Sequence, residues 1–363
     1  MNLPEEIYWA AFCGLSHLGF NQAQQIYNSF GSMENAWEAP DEELRKKIFP
    51  KDLAEKIIIS RSKVNIEEYN DKLIEHEIHV LTVMDEGYPA SLRLISTPPP
   101  VLYVKGRLQY PSKLHIAVVG TRKASVYALR AAEKLSFQLA SADVVVVSGM
   151  ARGVDTYAHK GALDAEGKTI AVLGCGLDIV YPRENKRLMN QIIESGAVIS
   201  EFPLGTPPNR INFPMRNRTI SGLSSGLLVV EAPERSGALI TVDFALEQGK
   251  DVFAVPGMIT NKSSKGSNKL IKEGAKLVET ASDILEEYHG INSAQSLAGG
   301  KEQEREMDDG AREIIQLLSG GPVFPDELCH LLGKDPAQLN VILTQMELEG
   351  LITLYEGKVH AII

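Results

Sequence analysis

Residues 115–153 read HIAVVGTRKASVYALRAAEKLSFQLASADVVVVSGMARG, and their pattern is informative about the fold class. Two short apolar runs, residues 115–119 and 144–147, flank a helical pattern over residues 127–142. Strands that read as continuous apolar runs are covered on both faces, as in parallel sheets with helices on each side. The stretch therefore predicts a strand, a helix and a second strand of a doubly wound α/β sheet.

The same alternation continues on both sides of this stretch. A second helical pattern spans residues 238–248. Further apolar runs of similar length occupy residues 80–83, 101–104, 169–173, 198–199, 227–230 and 252–255. We predict that residues 76–288 form an extended Rossmann-like domain, with the two earliest runs extending its sheet.

The flanking regions have different compositions. Residues 1–75 read as short helices, which predicts a small helical domain of SAM or helix-hairpin-helix type, or a helical lid packed on the next domain. Residues 289–308 are rich in glycine and charge, as a flexible linker is. Residues 309–363 combine three helical patterns with a hairpin signal at Glu356-Gly357, which predicts a winged helix.

Composition limits the possible functions. The chain has 363 residues and a formal net charge of −10, which argues against wholesale coating of a polyanion but leaves room for a local basic groove. Cys13, Cys175 and Cys329 are too far apart to suggest a disulfide framework or a zinc site. No leader and no apolar span of about 20 residues is evident. We expect a soluble cytoplasmic protein without membrane contact, metal or cofactor.

Small residues and cations follow several of the predicted strands. Ligands of doubly wound sheets bind beyond the carboxyl ends of the strands. The segments at those ends are residues 120–122, 148–153, 174–176, 181–187 and 231–238. Glycine and serine allow a phosphate to approach the backbone, helix N-termini offer N–H groups, and arginine adds bidentate hydrogen bonds. Together they predict an anion site at this edge of the sheet.

The densest cluster of cations lies in residues 206–230. This segment contains Arg210, Arg216 and Arg218 and no acidic residue, so its local charge is +3. Plainer interpretations exist, because one of these arginines could pair with Glu201 or Glu231 instead of a ligand. Likewise, Gly-Thr-Arg is a common strand-to-helix turn, Asn217 could be a turn residue, and Ser236 could be only a helix cap.

Signals for catalysis are weak. The sequence has no G-x-x-x-x-G-K-[ST] and no H-E-x-x-H motif. Asp155 and Asp178 follow strands without an obvious partner, and His159 is more often a core histidine than a general base. The third helix of the predicted winged helix carries Glu347 and Glu349 and no lysine or arginine. A helix that reads a DNA groove normally presents cations, so we favour protein contact for this domain.

A family resemblance follows from these segments. The series VVGTR, VVSGMARGVDTYAHKGAL, TIAVLGCGLDIVYPRENKRL, ISEFPLGTPPNRINFPMRNRTISGLS and VVEAPERSGALITVDFALEQGKDVFAVPG resembles the DNA-processing protein A (DprA/Smf) family over residues 115–275. The resemblance implies a bacterial protein that binds single-stranded DNA, usually as a homodimer. It further implies that the protein helps to load the RecA recombinase onto incoming strands during natural transformation (competence), and that it is not an enzyme.

Strand-end position and family resemblance together predict the DNA-binding residues. The resemblance implies roles for the arginine of Gly-Thr-Arg, for the lysine after Tyr-Pro-x-x-Asn and for the Phe-Pro-x-Arg-Asn-Arg segment. The candidates are Gly120, Thr121, Arg122, Ser148, Gly149, Arg152, Lys186, Phe213, Arg216, Asn217, Arg218, Ser236 and Gly237. Aromatic residues make up only 6% of the chain, so Phe213 and Tyr181 are the best candidates for stacking on bases.

Two other functions compete with this one. Nucleotide-cleaving hydrolases of the lysine-decarboxylase-like group share a Rossmann-like pattern but carry Pro-Gly-Gly-x-Gly-Thr-x-x-Glu. Residues 233–241 read PERSGALIT at the matching place, without the double glycine or the glutamate. A transcription factor would require residues 309–363 to bind duplex DNA, which the acidic third helix disfavours.

Overall fold

Each of the eight apolar runs named above overlaps a strand of the structure, a computed structural model. The structure describes residues 3–16, 18–108, 110, 113–288, 314, 317–318, 323–348, 352–355 and 358–361. The chain divides into two compact units, Met1–Tyr288 and His289–Ile363. The strands of the first unit are β1 His79–Thr82, β2 Val101–Gly106, β3 His115–Val119, β4 Val145–Ser148, β5 Thr169–Leu173, β6 Ala197–Ser200, β7 Gly226–Val229, β8 Asp251–Ala254 and β9 Lys276–Leu277.

These nine strands form one sheet in the order β1-β2-β6-β5-β4-β3-β7-β8-β9. The seven strands from β6 to β9 in this order pair in parallel, whereas β1–β2 and β2–β6 pair antiparallel. The predicted α/β class is therefore confirmed, with the two early runs extending the sheet at one edge. Strand β9 was not predicted, because two residues carry no periodic signal.

Helices cover both faces of this sheet. Along β3, Ile116 and Val118 belong to one hydrophobic cluster, and Ala117 and Val119 to the other. This double burial explains why the central strands read as continuous apolar runs. The helices of the first unit are α1 Glu5–Ser16, α2 Phe20–Phe30, α3 Met33–Glu38, α4 Asp41–Lys47, α5 Lys51–Arg61, α6 Ile66–Glu75, α7 Ala90–Arg93, α8 Val126–Ser141, α9 Val154–Asp164, α10 Lys186–Ser195, α11 Asn212–Gly222, α12 Gly237–Glu247, α13 Lys265–Lys272 and α14 Ser282–Leu285.

The N-terminal helices pack against the antiparallel end of the sheet. Trp9 and Phe12 of α1 are each 1% exposed and share a hydrophobic cluster with Tyr103 of β2. The Tyr103 hydroxyl lies 2.7 Å from the Tyr69 hydroxyl and donates to the carbonyl of Ala10 at 3.3 Å. Residues 1–75 thus belong to the same compact unit as the sheet. The boundary at residue 75 remains a prediction.

The second unit contains the winged-helix elements. Helix α15 spans Pro325–Leu332, helix α16 spans Pro336–Leu348, and strands β10 Ile352–Tyr355 and β11 Lys358–Ala361 form an antiparallel hairpin. Leu328, Leu339, Leu343 and Val359 are among the residues of its buried core. The predicted linker at residues 289–308, most of the predicted first helix, the turn at Glu356-Gly357, Glu349 and the side chain of Glu347 lie outside the described residues.

Candidate nucleic-acid interface

The carboxyl ends of four adjacent parallel strands, β5, β4, β3 and β7, lie at one edge of the sheet. The segments that follow these strands are therefore brought together. Between them lies a cavity of about 710 Å³. The predicted residues that line it are Gly120, Thr121, Arg122, Phe213, Arg216, Asn217, Ser236 and Gly237.

A stack of side chains forms one wall of this cavity. The guanidinium carbon of Arg122 lies 4.8 Å from the centroid of the Phe213 ring, a cation–π distance. The Phe213 ring lies 5.6 Å from the Tyr181 ring at an interplanar angle of 35°. A Cβ at Gly174 would come within 3.0 Å of the Phe213 ring, so the Gly-Cys-Gly turn leaves the space that this ring occupies. Arg122 is exposed and is thus held in place without being buried.

Arg216 forms its hydrogen bonds with other groups of the protein. It is 4% exposed and lies on α11, which the sequence did not predict to be a helix. Its Nη1 donates to the carbonyl of Gly149 at 2.7 Å and to that of Val172, and its Nε donates to Asn217 Oδ1 at 3.1 Å. Burial lowers the pKa of its guanidinium. A Cβ at Gly149 would lie 2.6 Å from Nη1, which explains the need for glycine there.

Helix α12 begins at the cavity. Ser236 caps the helix by accepting a hydrogen bond from Ala238 N at 3.2 Å. Asn217 donates through Nδ2 to the carbonyl of Gly237 at 3.2 Å, which fixes α11 to the start of α12. A Cβ at Gly237 would meet no atom within 4 Å, so this position opens into free space. The N–H groups and dipole of the first turn favour an anion there.

Arg218 does not line the cavity, in contrast to the expectation that it would lie beside Arg216. It pairs with Glu201 and donates to the carbonyl of Thr97, on the other side of α11. The side chains of Arg218 and Glu201 are 18% and 8% exposed. The structure therefore shows the alternative arrangement, in which one of the arginines pairs with Glu201. Burial raises the pKa of Glu201 even though Arg218 lowers it.

Ser148, Arg152 and Lys186 also lie apart from the cavity lining. Ser148 is fully buried and donates to the carbonyl of Val118 at 2.6 Å, which ties β4 to β3. Arg152 forms an exposed ion pair with Glu184, and such pairs contribute little to stability and can open for another anion. Lys186 is exposed at the first position of α10 and has no carboxylate partner among the described residues.

Two family models match the chain. The DNA recombination-mediator protein A model matches residues 79–289, and the DprA winged helix domain model matches residues 300–358. The first match covers the sheet and the cavity. The chain belongs to the DprA/Smf family.

Named relatives and solved structures agree with this membership. The chain is 41% identical to protein Smf of Escherichia coli over 77% of its own length and 76% of that protein. It is 45% identical to DNA processing protein DprA of Streptococcus pneumoniae over 57% of its length and 73% of the relative. The solved DprA structure from Streptococcus pneumoniae matches with a TM-score of 0.65 and 36% identity, covering 79% of this chain and 99% of that one.

A second matching structure comes from Helicobacter pylori. DprA from Helicobacter pylori, described as having a unique single-stranded DNA binding mode, matches with a TM-score of 0.53 and 28% identity. The match covers 59% of this chain and 98% of that one.

Among the described helices of our DprA/Smf chain, none has the length and apolarity needed to cross a bilayer.

Two arginines of the cavity wall were not among the DNA-binding residues predicted from the sequence. Arg210 and Arg235 line the cavity and are exposed. Within the described part of the chain, neither they nor Arg122 has a carboxylate within salt-bridge distance. Arg210 lies in the acid-free segment and Arg235 directly precedes Ser236, so there was reason in the sequence to consider both. Only the three-dimensional arrangement shows that they line the cavity. With Arg122 they form a set of three exposed guanidinium groups at the cavity wall of this chain.

Asp155 is the acidic residue of the cavity wall. It is 6% exposed and accepts a hydrogen bond from Ala151 N at 3.3 Å in the first turn of α9. Burial raises its pKa to about 6, although Arg216 and this N–H group act in the opposite direction. His159, one turn later, is fully buried, and burial lowers its pKa to about 3. His159 is therefore a neutral core residue at physiological pH.

Residues 222–226 read GLSSG and so match the G-x-S-x-G pattern of serine hydrolases. In those enzymes the serine sits on an exposed turn from a strand to a helix. Here the turn leads from helix α11 to strand β7, and Ser224 is 1% exposed with its hydroxyl donating to the carbonyl of Ile220 at 3.0 Å. Ser224 is thus a buried structural residue.

Proposed function

We propose that this DprA/Smf protein binds single-stranded DNA in the cavity at the carboxyl edge of the sheet. One observation carries the proposal: the exposed Arg122 guanidinium stacks on the Phe213 ring beside the open N-terminus of α12. This arrangement combines a cation and N–H groups for phosphate with rings for bases. The single-stranded DNA named for the Helicobacter pylori relative supports the same ligand.

The size of the cavity favours a single strand over a duplex. About 710 Å³ lies within the range of roughly 300–1,000 Å³ that is usual for small-molecule sites. A flexible single strand can place individual nucleotides in such a site. In a duplex, the base faces are stacked inside the double helix and are not available to the site. Three available arginines also imply a modest salt dependence, because each phosphate contact on a single strand contributes a slope of about −0.7 in log K against log salt.

The wider role that we propose is recombination mediation. A protein that holds an incoming single strand can deliver it to the RecA recombinase during natural transformation. We propose that it does so in the cytoplasm as a homodimer, with the winged helix as a protein-contact module. Membership in a family of DNA recombination mediators supports this role.

A competition experiment tests the proposal. Gel shifts with an oligo-dT strand of about 20 nucleotides should show tight binding that unlabelled single strands displace and an equal mass of duplex does not. A matched assay for release of free base from nucleoside monophosphates tests the hydrolase alternative. Equal competition by duplex, or base release, would favour another function.

The pH dependence of binding should report on Asp155. A bound phosphate next to this carboxyl raises its pKa further, so the complex holds more protons than the free protein. The affinity for oligo-dT should therefore rise severalfold, or by about 1 kcal/mol, as pH falls from about 7.5 to about 5.5. Thymine does not titrate in this range, so the change belongs to the protein.

Asp155→Asn is the matched variant for this measurement. The amide oxygen can still accept the hydrogen bond from Ala151 N, but the side chain is neutral at every pH. The variant should bind at neutral pH as tightly as the unchanged protein does at acidic pH, and its affinity should stay flat. A variant that keeps the full pH dependence would show that Asp155 is not near the bound phosphate.

A further inference from the structure

The outward side of helix α8 carries an unusual set of exposed side chains. The exposed residues from the turn before α8 to its last turn are Lys123, Val126, Tyr127, Arg130, Lys134, Phe137 and Ser141. We call Lys123, Tyr127, Arg130, Lys134 and Phe137 the α8 stripe. Tyr127, Arg130, Lys134 and Phe137 recur every three or four positions, so they lie along one side of the helix, and Lys123 precedes its first turn.

The charge of the α8 stripe is wholly positive. It holds three cations and no acid, in a chain whose formal net charge is −10. No side chain in the described part of the chain forms a salt bridge with Lys123, Arg130 or Lys134. Cations that are left without partners on one face of an acidic protein indicate an anionic ligand for that face.

Two aromatic rings interrupt the cations. Tyr127 is 54% exposed and Phe137 is 44% exposed. The Tyr127 hydroxyl donates to the carbonyl of Pro256 at 3.0 Å, so its ring is held in place while remaining open to a ligand. Cations alternating with rings are what single-stranded nucleic acid uses, because phosphates and bases then each find a partner.

Helix α9 packs beside α8 and carries a further exposed cation. Lys160 is exposed, and its Nζ lies 4.7 Å from the centroid of the Tyr157 ring. The acids on or next to these two helices include Glu133, which is half-buried, Asp143, which is exposed and pairs with Lys113, Asp155, which is buried, and Asp164, which is exposed near the end of α9. None of them belongs to the α8 stripe, so the stripe itself keeps its positive charge.

The α8 stripe begins next to the cavity along the chain. Lys123 directly follows Arg122, which lines the cavity, and α8 leads away from that edge of the sheet. At a rise of about 1.5 Å per residue, Tyr127 and Phe137 are about 15 Å apart along the helix. A strand that leaves the cavity past Arg122 would meet this stripe next.

We propose that the bound single strand continues from the cavity along the α8 stripe. Lys123, Arg130 and Lys134 contact phosphates, and bases pack against the rings of Tyr127 and Phe137. This inference rests on the proposed function, because it extends the path of the same strand. The stripe is then a second segment of the DNA-binding site, which short strands do not reach.

Arg130→Glu combined with Lys134→Glu tests the extended path. The two positions remain like-charged at i and i+4, so helix stability should change little. With an oligo-dT of about 20 nucleotides we expect at least a tenfold loss of affinity, and a salt dependence that is shallower by about 1.4 for two lost phosphate contacts. With a thymidine dinucleotide, which is too short to lie in the cavity and also reach Arg130 and Lys134, we expect no change.

The control is Lys56→Glu combined with Lys63→Glu, which makes the same charge change on exposed residues at the far end of the sheet. This control variant should bind the long strand and the short strand with unchanged affinity. If the α8 variant binds the long strand normally, or loses affinity for both lengths alike, the extended path is wrong. The same holds if it changes only the molecular mass in solution, because a second copy would then cover the stripe. An Arg122→Glu variant that binds the short strand normally would instead overturn the cavity itself.

Discussion

Arg122→Glu is expected to weaken the binding of oligo-dT by about a hundredfold, which corresponds to about 2.7 kcal/mol. The guanidinium is exposed and free of carboxylate partners in the described part of the chain, so the loss should fall on binding and not on folding. The substitution removes the cation stacked on Phe213 and places a carboxylate where a phosphate would sit.

Fluorescence anisotropy with a labelled strand measures this effect, and thermal unfolding checks that the fold persists. Lys56→Glu is the matched control, since it makes the same charge change on an exposed lysine of α5. Its affinity should stay within about twofold of the unchanged protein. A well-folded Arg122→Glu variant with unchanged affinity would remove the cavity from the account.

Arg218→Ala is expected to lower the free energy of unfolding by about 3–5 kcal/mol. The substitution leaves Glu201, whose side chain is 8% exposed, without its cationic partner. Burial already raises the pKa of this carboxyl, so part of the penalty will be relieved by uptake of a proton. Urea unfolding monitored by circular dichroism measures the loss.

The affinity of the folded Arg218→Ala variant for oligo-dT should remain close to normal, because the side chain points away from the cavity wall. Replacing both partners, Arg218→Met with Glu201→Leu, should restore much of the stability, since a buried pair can be exchanged for apolar groups at little cost. A stable Arg218→Ala variant that fails to bind DNA would instead make Arg218 a DNA contact.

The central sheet was predictable because its strands are buried on both faces. Runs such as residues 144–147 and 169–173 have no solvent-facing positions that would break the apolar pattern. The order of the strands and the position of β9 were not predictable, since they depend on packing between distant segments. The placement of the N-terminal helices against β2 was not predictable for the same reason.

The position of the candidate site was predictable where its residues directly follow a strand, as Gly120-Thr121-Arg122 does. It was not predictable along residues 213–222, whose small and polar residues hide the helix α11. Residues that are two positions apart on a helix differ in direction by about 200°, so Arg216 and Arg218 cannot face the same cavity. Without knowing that this segment is helical, the sequence offered no means to separate their roles.

Cross-linking with an oligo-dT that carries 5-iodouracil tests the central claim most directly, because iodouracil reacts with aromatic side chains that contact the base. The account predicts that the cross-linked peptides contain Phe213 or Tyr181, whose rings lie 5.6 Å apart at the cavity wall. Cross-links confined to residues 289–363 or to the N-terminal helices would contradict it.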